Sequence, residues 1–390
     1  MRITYIHQHF KSPTEAGGTR SWEFARRLAD DGHDVTMICG GRGKAKYTEA
    51  GFTVVQVASE YNNAMSVSAR VRSFLSFGAR ATARAVATPA DLVLATSTPL
   101  TVAIPGIIAS TVRRKAFVFE VRDLWPDVPV ELGVLRSGTV IRLARALEKV
   151  AYTRASRIIA LSPSMADGVR ARAPHSCVVT IPNGSDFALF DKASEDRDEF
   201  RKSTATSEQR MLVYAGSLGA TYDVGWLVDL AAELQASDTI IVIIGEGAMS
   251  PRLRQRIDEL RLDNIVLTGA IPKSDVADYV ASADAVFSTL QDHPALLGNS
   301  LNKVFDAMAA RRPILFNHEG WLAELASERG AGWILNRDVR VAGRQIVDIL
   351  NDGEALARAG DASGTTGQEF FDRDTLYEHF HATLTAAVGG

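Results

Sequence analysis

The densest run of chemistry-bearing residues is Gly298-Asn-Ser300-Leu-Asn302-Lys303-Val-Phe-Asp306, small polar residues that open a predicted helix. Free backbone amides at Asn299, Ser300 and Leu301 would face an anion at the positive end of the helix dipole. Lys303 adds a point charge, and Asp306, about one turn on, could bond ribose hydroxyls. The set could therefore hold a nucleoside diphosphate. Equally, Lys303 and Asp306, three apart, could form a surface salt bridge. Apolar Val304, Phe305, Met308 and Ala309 fix the orientation of this helix.

Three further stretches follow β-branched runs, where open parallel sheets bind ligands. Tyr214-Ala-Gly216-Ser-Leu-Gly219 and Ile244-Gly245-Glu-Gly247 are glycine-rich strand exits, suited either to a backbone-floored pocket or to simple strand-to-helix turns. Glu120-Val-Arg122-Asp123-Leu-Trp125-Pro126 projects a guanidinium and a carboxylate beside a stiff Trp-Pro step. Asp123 could accept a proton or hydrogen bond from a sugar hydroxyl and Arg122 could steady an anion; a purely structural Arg–Asp pair is the other reading. Near the start, Gly17 and Gly18 precede a helix over 21–31 and could present amides to phosphate, or merely form a tight turn. The three-glycine dinucleotide spacing is absent there, which argues against a nicotinamide or flavin site.

The elements that would position these residues alternate short β-branched runs with helical stretches, the pattern of parallel sheet layered by helices. Candidate strands at 3–6, 34–38, 53–57, 92–95, 117–121, 158–161 and 178–181 make one doubly wound domain. Those at 211–215, 239–244, 265–268, 285–288, 313–316 and 332–335 make a second. The Asn183-Gly184 turn and the polar stretch 191–210 place the boundary near 185–205. The expected fold is α/β, two Rossmann-like doubly wound domains facing across a cleft: 1–188, joined by a closing C-terminal helix within 372–390, and 189–371. The tail's stripe of Leu376, Phe380, Leu384 and Val388 has helical spacing.

At 46% hydrophobic and 23% charged residues the 390-residue chain is an ordinary folded one of about two domains. The start shows no basic leader or cleavage site, and the most apolar stretch, Leu100–Val112, is too short to span a bilayer. A cytoplasmic location is expected, with Cys39 and Cys177 as buried free thiols and no metal site. Charge is uneven: residues 1–190 carry 24 basic and 15 acidic side chains (+9), the remainder 19 and 31 (−12). Arg70–Arg157 holds 14 basic against 6 acidic residues, either a solvated face or one that rests on anionic lipid at the inner leaflet. Nucleic acid is not expected, because aromatic interleaving and a recognition motif are missing.

In order along the chain, HQHF…GGTRSWEFARRLADDGHDVT, EVRDLWPD, IPNGSD, VYAGSLG, IIGEGAMSPRLRQRI, NIVLTGAIPKSDVADYVASAD and NSLNKVFDAMAARRPIL resemble glycosyltransferase family 4 of the GT-B fold. The narrower likeness is to a bacterial polysaccharide-assembly branch that includes fucosaminyltransferases. The resemblance implies a retaining, metal- and cofactor-free transferase. Its second domain would take a nucleotide-sugar donor, with UDP and an N-acetylated hexose or deoxyhexose favoured by analogy. Its first domain would take a glycan or polyprenyl-diphosphate-linked acceptor. It further implies that Ala270 and Ile271 hold the base, Asp306 the ribose, and Asn302-Lys303 the diphosphate. Arg122-Asp123 fall where many relatives carry His-Asp. Two departures stand out. The family's earlier Glu is Gly298 here, and the Arg and Lys common after the glycine-rich strand exit are absent from 217–223, which shifts their work to Lys303 and Arg20. The expected catalytic set is Arg122, Asp123 and Lys303, with Gly18, Arg20, Gly216, Gly219 and Gly245 on the donor and Gly17, Asp123 and Trp125 on the acceptor. A nucleotide-sugar 2-epimerase or a non-catalytic sugar-nucleotide binder on the same frame are the alternatives.

Overall fold

A computed structural model of the chain describes all residues except 14, 16, 17, 62–64, 66, 134, 205–207 and 390, and the side chain of Val67. The chain forms two compact units, one running to Pro182 and taking back the tail from Tyr377, the other spanning Asn183–Leu376.

The first unit contains β1 (Arg2–Ile6), α1 (Arg20–Asp30), β2 (Asp34–Gly41), β3 (Ala45–Glu49), β4 (Phe52–Ala58), α2 (Val67–Ala87) and β5 (Leu92–Thr96). It continues with α3 (Ala103–Arg113), β6 (Ala116–Val121), α4 (Asp127–Glu131), α5 (Gly138–Arg154), β7 (Arg157–Ala160), α6 (Pro163–Arg172) and β8 (Val178–Thr180). The sheet order is β3-β4-β2-β1-β5-β6-β7-β8, so the direction of winding reverses between β1 and β5. Pairing is parallel except at the β3–β4 edge. Central β5, LVLAT, is buried along its whole length, as a parallel strand covered on both faces must be.

The second unit contains α7 (Phe187–Glu195), α8 (Arg197–Ser203), β9 (Arg210–Ala215), α9 (Val224–Glu233), β10 (Thr239–Ile244), α10 (Ser250–Leu260), β11 (Ile265–Gly269) and α11 (Lys273–Ser282). After these come β12 (Ala285–Ser288), α12 (Asn302–Ala309), β13 (Ile314–Phe316), α13 (Trp321–Glu328), β14 (Gly332–Ile334), α14 (Val339–Asn351) and α15 (Gly353–Phe370). Its parallel sheet runs β11-β10-β9-β12-β13-β14, with the reversal between β9 and β12. The chain closes with α16 (Arg373–Gly389), whose Phe380 ring packs 4.5 Å from Phe24 of α1.

Several expectations need correction. The polar stretch that marks the boundary carries the end of α7 and all of α8: α7 buries Phe190 and Ala193, and Arg201 of α8 ion-pairs with Asp284 at 3.2 Å. Cys39 is buried but Cys177 is exposed, since it lies just outside short β8. On the tail stripe Leu376, Phe380 and Leu384 are buried whereas Val388, in the last turn, is exposed. Strand β3, AKYTE, escaped the sequence because an exposed antiparallel edge needs no apolar alternation.

Candidate active site

Open α/β sheets bind ligands beyond the strand ends where the winding reverses. In the second unit that place is the exit of β9 and β12, and α12 starts just after it. Lys303 of α12 is only 6% exposed. Its Nζ lies 4.6 Å from the centre of the Tyr214 ring and 4.3 Å from that of Tyr222, and it makes no hydrogen bond or ion pair among the described residues. Burial pushes its pKa down to about 7, with the Asp306 charge opposing only in part. The helix has no side-chain cap, and the amides of Ser300, Leu301 and Asn302 donate to no described group. Asn299 is a correction: its amide already donates to Leu296 O at 3.1 Å, so the open amides begin one residue later than expected.

Glycines bring backbone up to this lysine. A Cβ on Gly216 would stand 3.0 Å from Lys303 Cε, and one on Gly245 would lie 1.9 Å from Gly216 O. Gly245 also has φ +141°, a conformation that L side chains rarely adopt. Gly219 O accepts from Tyr222 N at 3.2 Å and so turns that ring back toward the ammonium. Ala270 is exposed and Ile271 half-buried at the exit of β11. Asp306 is buried, and its carboxylate accepts from Ser185 Oγ at 2.8 Å and from Lys273 Nζ at 2.5 Å. The expected alternative, a surface salt bridge of Lys303 with Asp306, is thus excluded. Both are buried, and the aspartate pairs with another lysine. Asn183 braces the loop before α12, donating from N to Ser300 Oγ at 3.2 Å and from Nδ2 to Ser300 O at 3.3 Å.

In the first unit the reversal point gathers the exits of β1, β5 and β6. The amide of Arg122 donates to Ser97 Oγ at 3.0 Å, and its Nη1 lies 3.4 Å from Nε2 of His7. His7 is 3% exposed, its Nδ1 has no partner among the described residues, and burial together with the Arg122 charge holds its pKa well below the usual value. Asp123 is half-buried and its carboxylate makes no hydrogen bond among the described residues. Burial raises it to about 6, against the pull of Arg122. Trp125 packs partly buried against the core of the unit. Gly18 lies half-buried ahead of α1, and Gly17 falls outside the described residues.

Arg20 is a second correction to the site. Its side chain is 6% exposed, pairs with buried Glu120 at 2.9 Å, and donates to Ile181 O and Pro182 O. With its donors spent on a buried carboxylate and two carbonyls, it is a structural cation of the first unit. Sequence reasoning also missed the Tyr214–Tyr222 cradle, the Lys273 partner of Asp306, and His7. The tyrosines and Lys273 carry no local signal, whereas His7 opens the loop after β1, where the strand-exit rule pointed to Gly17 and Gly18 instead.

Two doubly wound sheets of this kind define the GT-B class of glycosyltransferase folds, and solved structures agree. The chain is similar to Anabaena HepE in complex with UDP-glucose (TM-score 0.74, 19% identity, covering 99% of this chain and 100% of that one). It is also similar to sucrose-phosphate synthase from Thermosynechococcus elongatus (TM-score 0.76, 16% identity, 99% of each chain). WaaG, a glycosyltransferase involved in lipopolysaccharide biosynthesis, gives a TM-score of 0.70 at 15% identity over 98% and 99%. No curated protein sequence matches. Residues 16–184 match the family described as glycosyl transferase 4-like domain, and residues 195–364 match glycosyl transferases group 1. The chain belongs to the glycosyl transferases, whose two models match it in tandem over most of its length.

Proposed function

We propose that this enzyme moves an N-acetylated hexose or deoxyhexose from UDP to a glycan or polyprenyl-diphosphate-linked acceptor, with retention and without a metal, in cytoplasmic assembly of a cell-surface polysaccharide. The observation that carries the donor side is Lys303: a buried ammonium that makes no hydrogen bond or ion pair among the described residues, beside the open amides of Ser300, Leu301 and Asn302. An uncompensated buried charge destabilises a fold, and an anionic ligand supplies what is missing. In this reading the diphosphate lies against Lys303, Asn302 and those amides. The backbone at Gly216, Gly219 and Gly245 lets it approach, Asp306 takes ribose hydroxyls with its remaining lone pairs, and Ala270 and Ile271 flank the base. HepE crystallised with UDP-glucose and the lipopolysaccharide role of WaaG support the donor and the pathway class. The fucosaminyltransferase likeness supports the choice of sugar.

Arg122, Asp123 and Trp125 serve the acceptor. Catalysis then consists of breaking the bond from the anomeric carbon to the β-phosphate oxygen while the acceptor oxygen bonds to the same face of that carbon. The acceptor's proton passes to the departing phosphate oxygen, and Asp123 orients the hydroxyl. Lys303 and the amides stabilise the charge that grows on the leaving group, usually the largest catalytic contribution.

A thermal-shift panel of nucleotide sugars tests the reading. A UDP-sugar at a hundred times its Kd should stabilise the protein by about 2.7 kcal/mol through mass action. A panel in which no nucleotide sugar moves the melting point would remove the proposal.

A further inference from the structure

The first unit also holds a cavity that sugar transfer leaves unused. About 590 Å³ in volume, it lies between the opening residues of β2 and β4, the start of β3 and the last turn of α2. Small-molecule clefts fall in this size range, and the ligand end of an open α/β sheet is the other one, beyond the strand exits. The floor is sheet. Thr36 of β2 pairs with Thr53 of β4, and Asp34 and Val55 line the same face, each two residues away on its own strand. A parallel strand covered on both faces carries apolar side chains. Here two half-buried hydroxyls line the cavity instead, and neither makes a hydrogen bond among the described residues. Gln56 donates from Nε2 to Gly43 O at 2.9 Å, which ties the turn into β3 to β4. Three cations rim the space: Lys44, Lys46 and Arg84 are exposed, and their side chains make no hydrogen bond or ion pair among the described residues. Ala87 and Pro89 add an apolar edge.

We infer that this cavity binds a sugar bearing an anionic group, a carboxylate or a phosphate. The three cations take the acid. Asp34 and the threonines exchange hydrogen bonds with ring hydroxyls, while Val55, Ala87 and Pro89 meet the C–H face of the ring. Each part of the lining selects against a simpler occupant. A bare inorganic anion would meet Asp34 as a like charge and leave the apolar edge uncovered, and a neutral sugar would leave the cations unanswered. The site stands apart from the donor reading and does not depend on it.

Isothermal titration calorimetry of the full chain tests the inference, with glucuronate, glucose 6-phosphate, glucose and inorganic phosphate as titrants at low salt. At least one of the two acidic sugars should bind about tenfold or more tightly than either glucose or phosphate, and the better one identifies the acid. Saturating UDP should leave that affinity unchanged. Lys46→Glu with Arg84→Glu should weaken it by at least about tenfold. Thr36→Val with Thr53→Val keeps the β-branched shape, removes both hydroxyls and should weaken it about tenfold. Both double variants should still melt cooperatively, which shows the fold intact. Failure of both acidic sugars to bind overturns the inference. So does phosphate binding as tightly as they do, which is plain cation adhesion. Acidic-sugar binding that survives the substitutions, or that UDP displaces, lies elsewhere and overturns it as well.

Discussion

Lys303→Met keeps an unbranched side chain between the Tyr214 and Tyr222 rings and removes the charge. Two opposed effects should follow. Burial lowers the lysine from its ordinary 10.5 to about 7 in the folded protein. Between those values the unfolded chain binds more protons than the folded one, so wild-type stability rises with pH across that window. The methionine variant escapes this cost, and its advantage is greatest below pH 7 and fades toward pH 10. Replacing an ill-compensated buried charge by an apolar residue stabilises by about 1–4 kcal/mol, which in a unit of this size raises Tm by about 2–4 °C per kcal/mol. Turnover should move the other way, falling about 100- to 1000-fold as the leaving diphosphate loses its cation. Scanning calorimetry at pH 6 and pH 9, paired with steady-state release of UDP, measures both. A variant that melts lower and turns over normally would make Lys303 a packing residue and refute the reasoning.

The pH profile of kcat/KM should be narrow. Asp123, raised to about 6, must be ionised, and Lys303, lowered to about 7, must be protonated, so activity should peak between those values. A plateau extending to pH 9 would remove one of the two from the mechanism. Gly245→Ala should cost about 1–3 kcal/mol for its backbone conformation alone. The clash with Gly216 O adds to that and should displace Lys303, so guanidinium unfolding shifts down and UDP affinity drops together. Arg20→Ala should lower stability by about 3–5 kcal/mol, because Glu120 is left buried and unpaired. It should leave UDP affinity intact; lost affinity at unchanged stability would return Arg20 to the donor site.

Much of this architecture was legible because parallel strands covered on both faces read as apolar runs. β5 and β10 are buried along their length and stand out directly. What escaped was set by contacts distant in sequence. Charges on α7 and α8 hid a half-buried helical pair, and β3 exists only as the partner of β4. At the site, the strand-exit rule and helix-opening composition picked out Arg122, Asp123, Lys303 and Asp306. The partners came from elsewhere in the chain: Tyr214 and Tyr222 over Lys303, Lys273 and Ser185 on Asp306, His7 beside Arg122. Arg20 was misread for the same reason, since Glu120 lies a hundred residues away and no local pattern announces the pair.

The central claim is that a diphosphate lies against the start of α12. A crystal structure of the UDP complex tests it most directly. The account predicts a β-phosphate oxygen about 3 Å from Lys303 Nζ, with others at the amides of Ser300, Leu301 or Asn302. Phosphates bound elsewhere, with the Lys303 ammonium still enclosed by its two tyrosines, would contradict it.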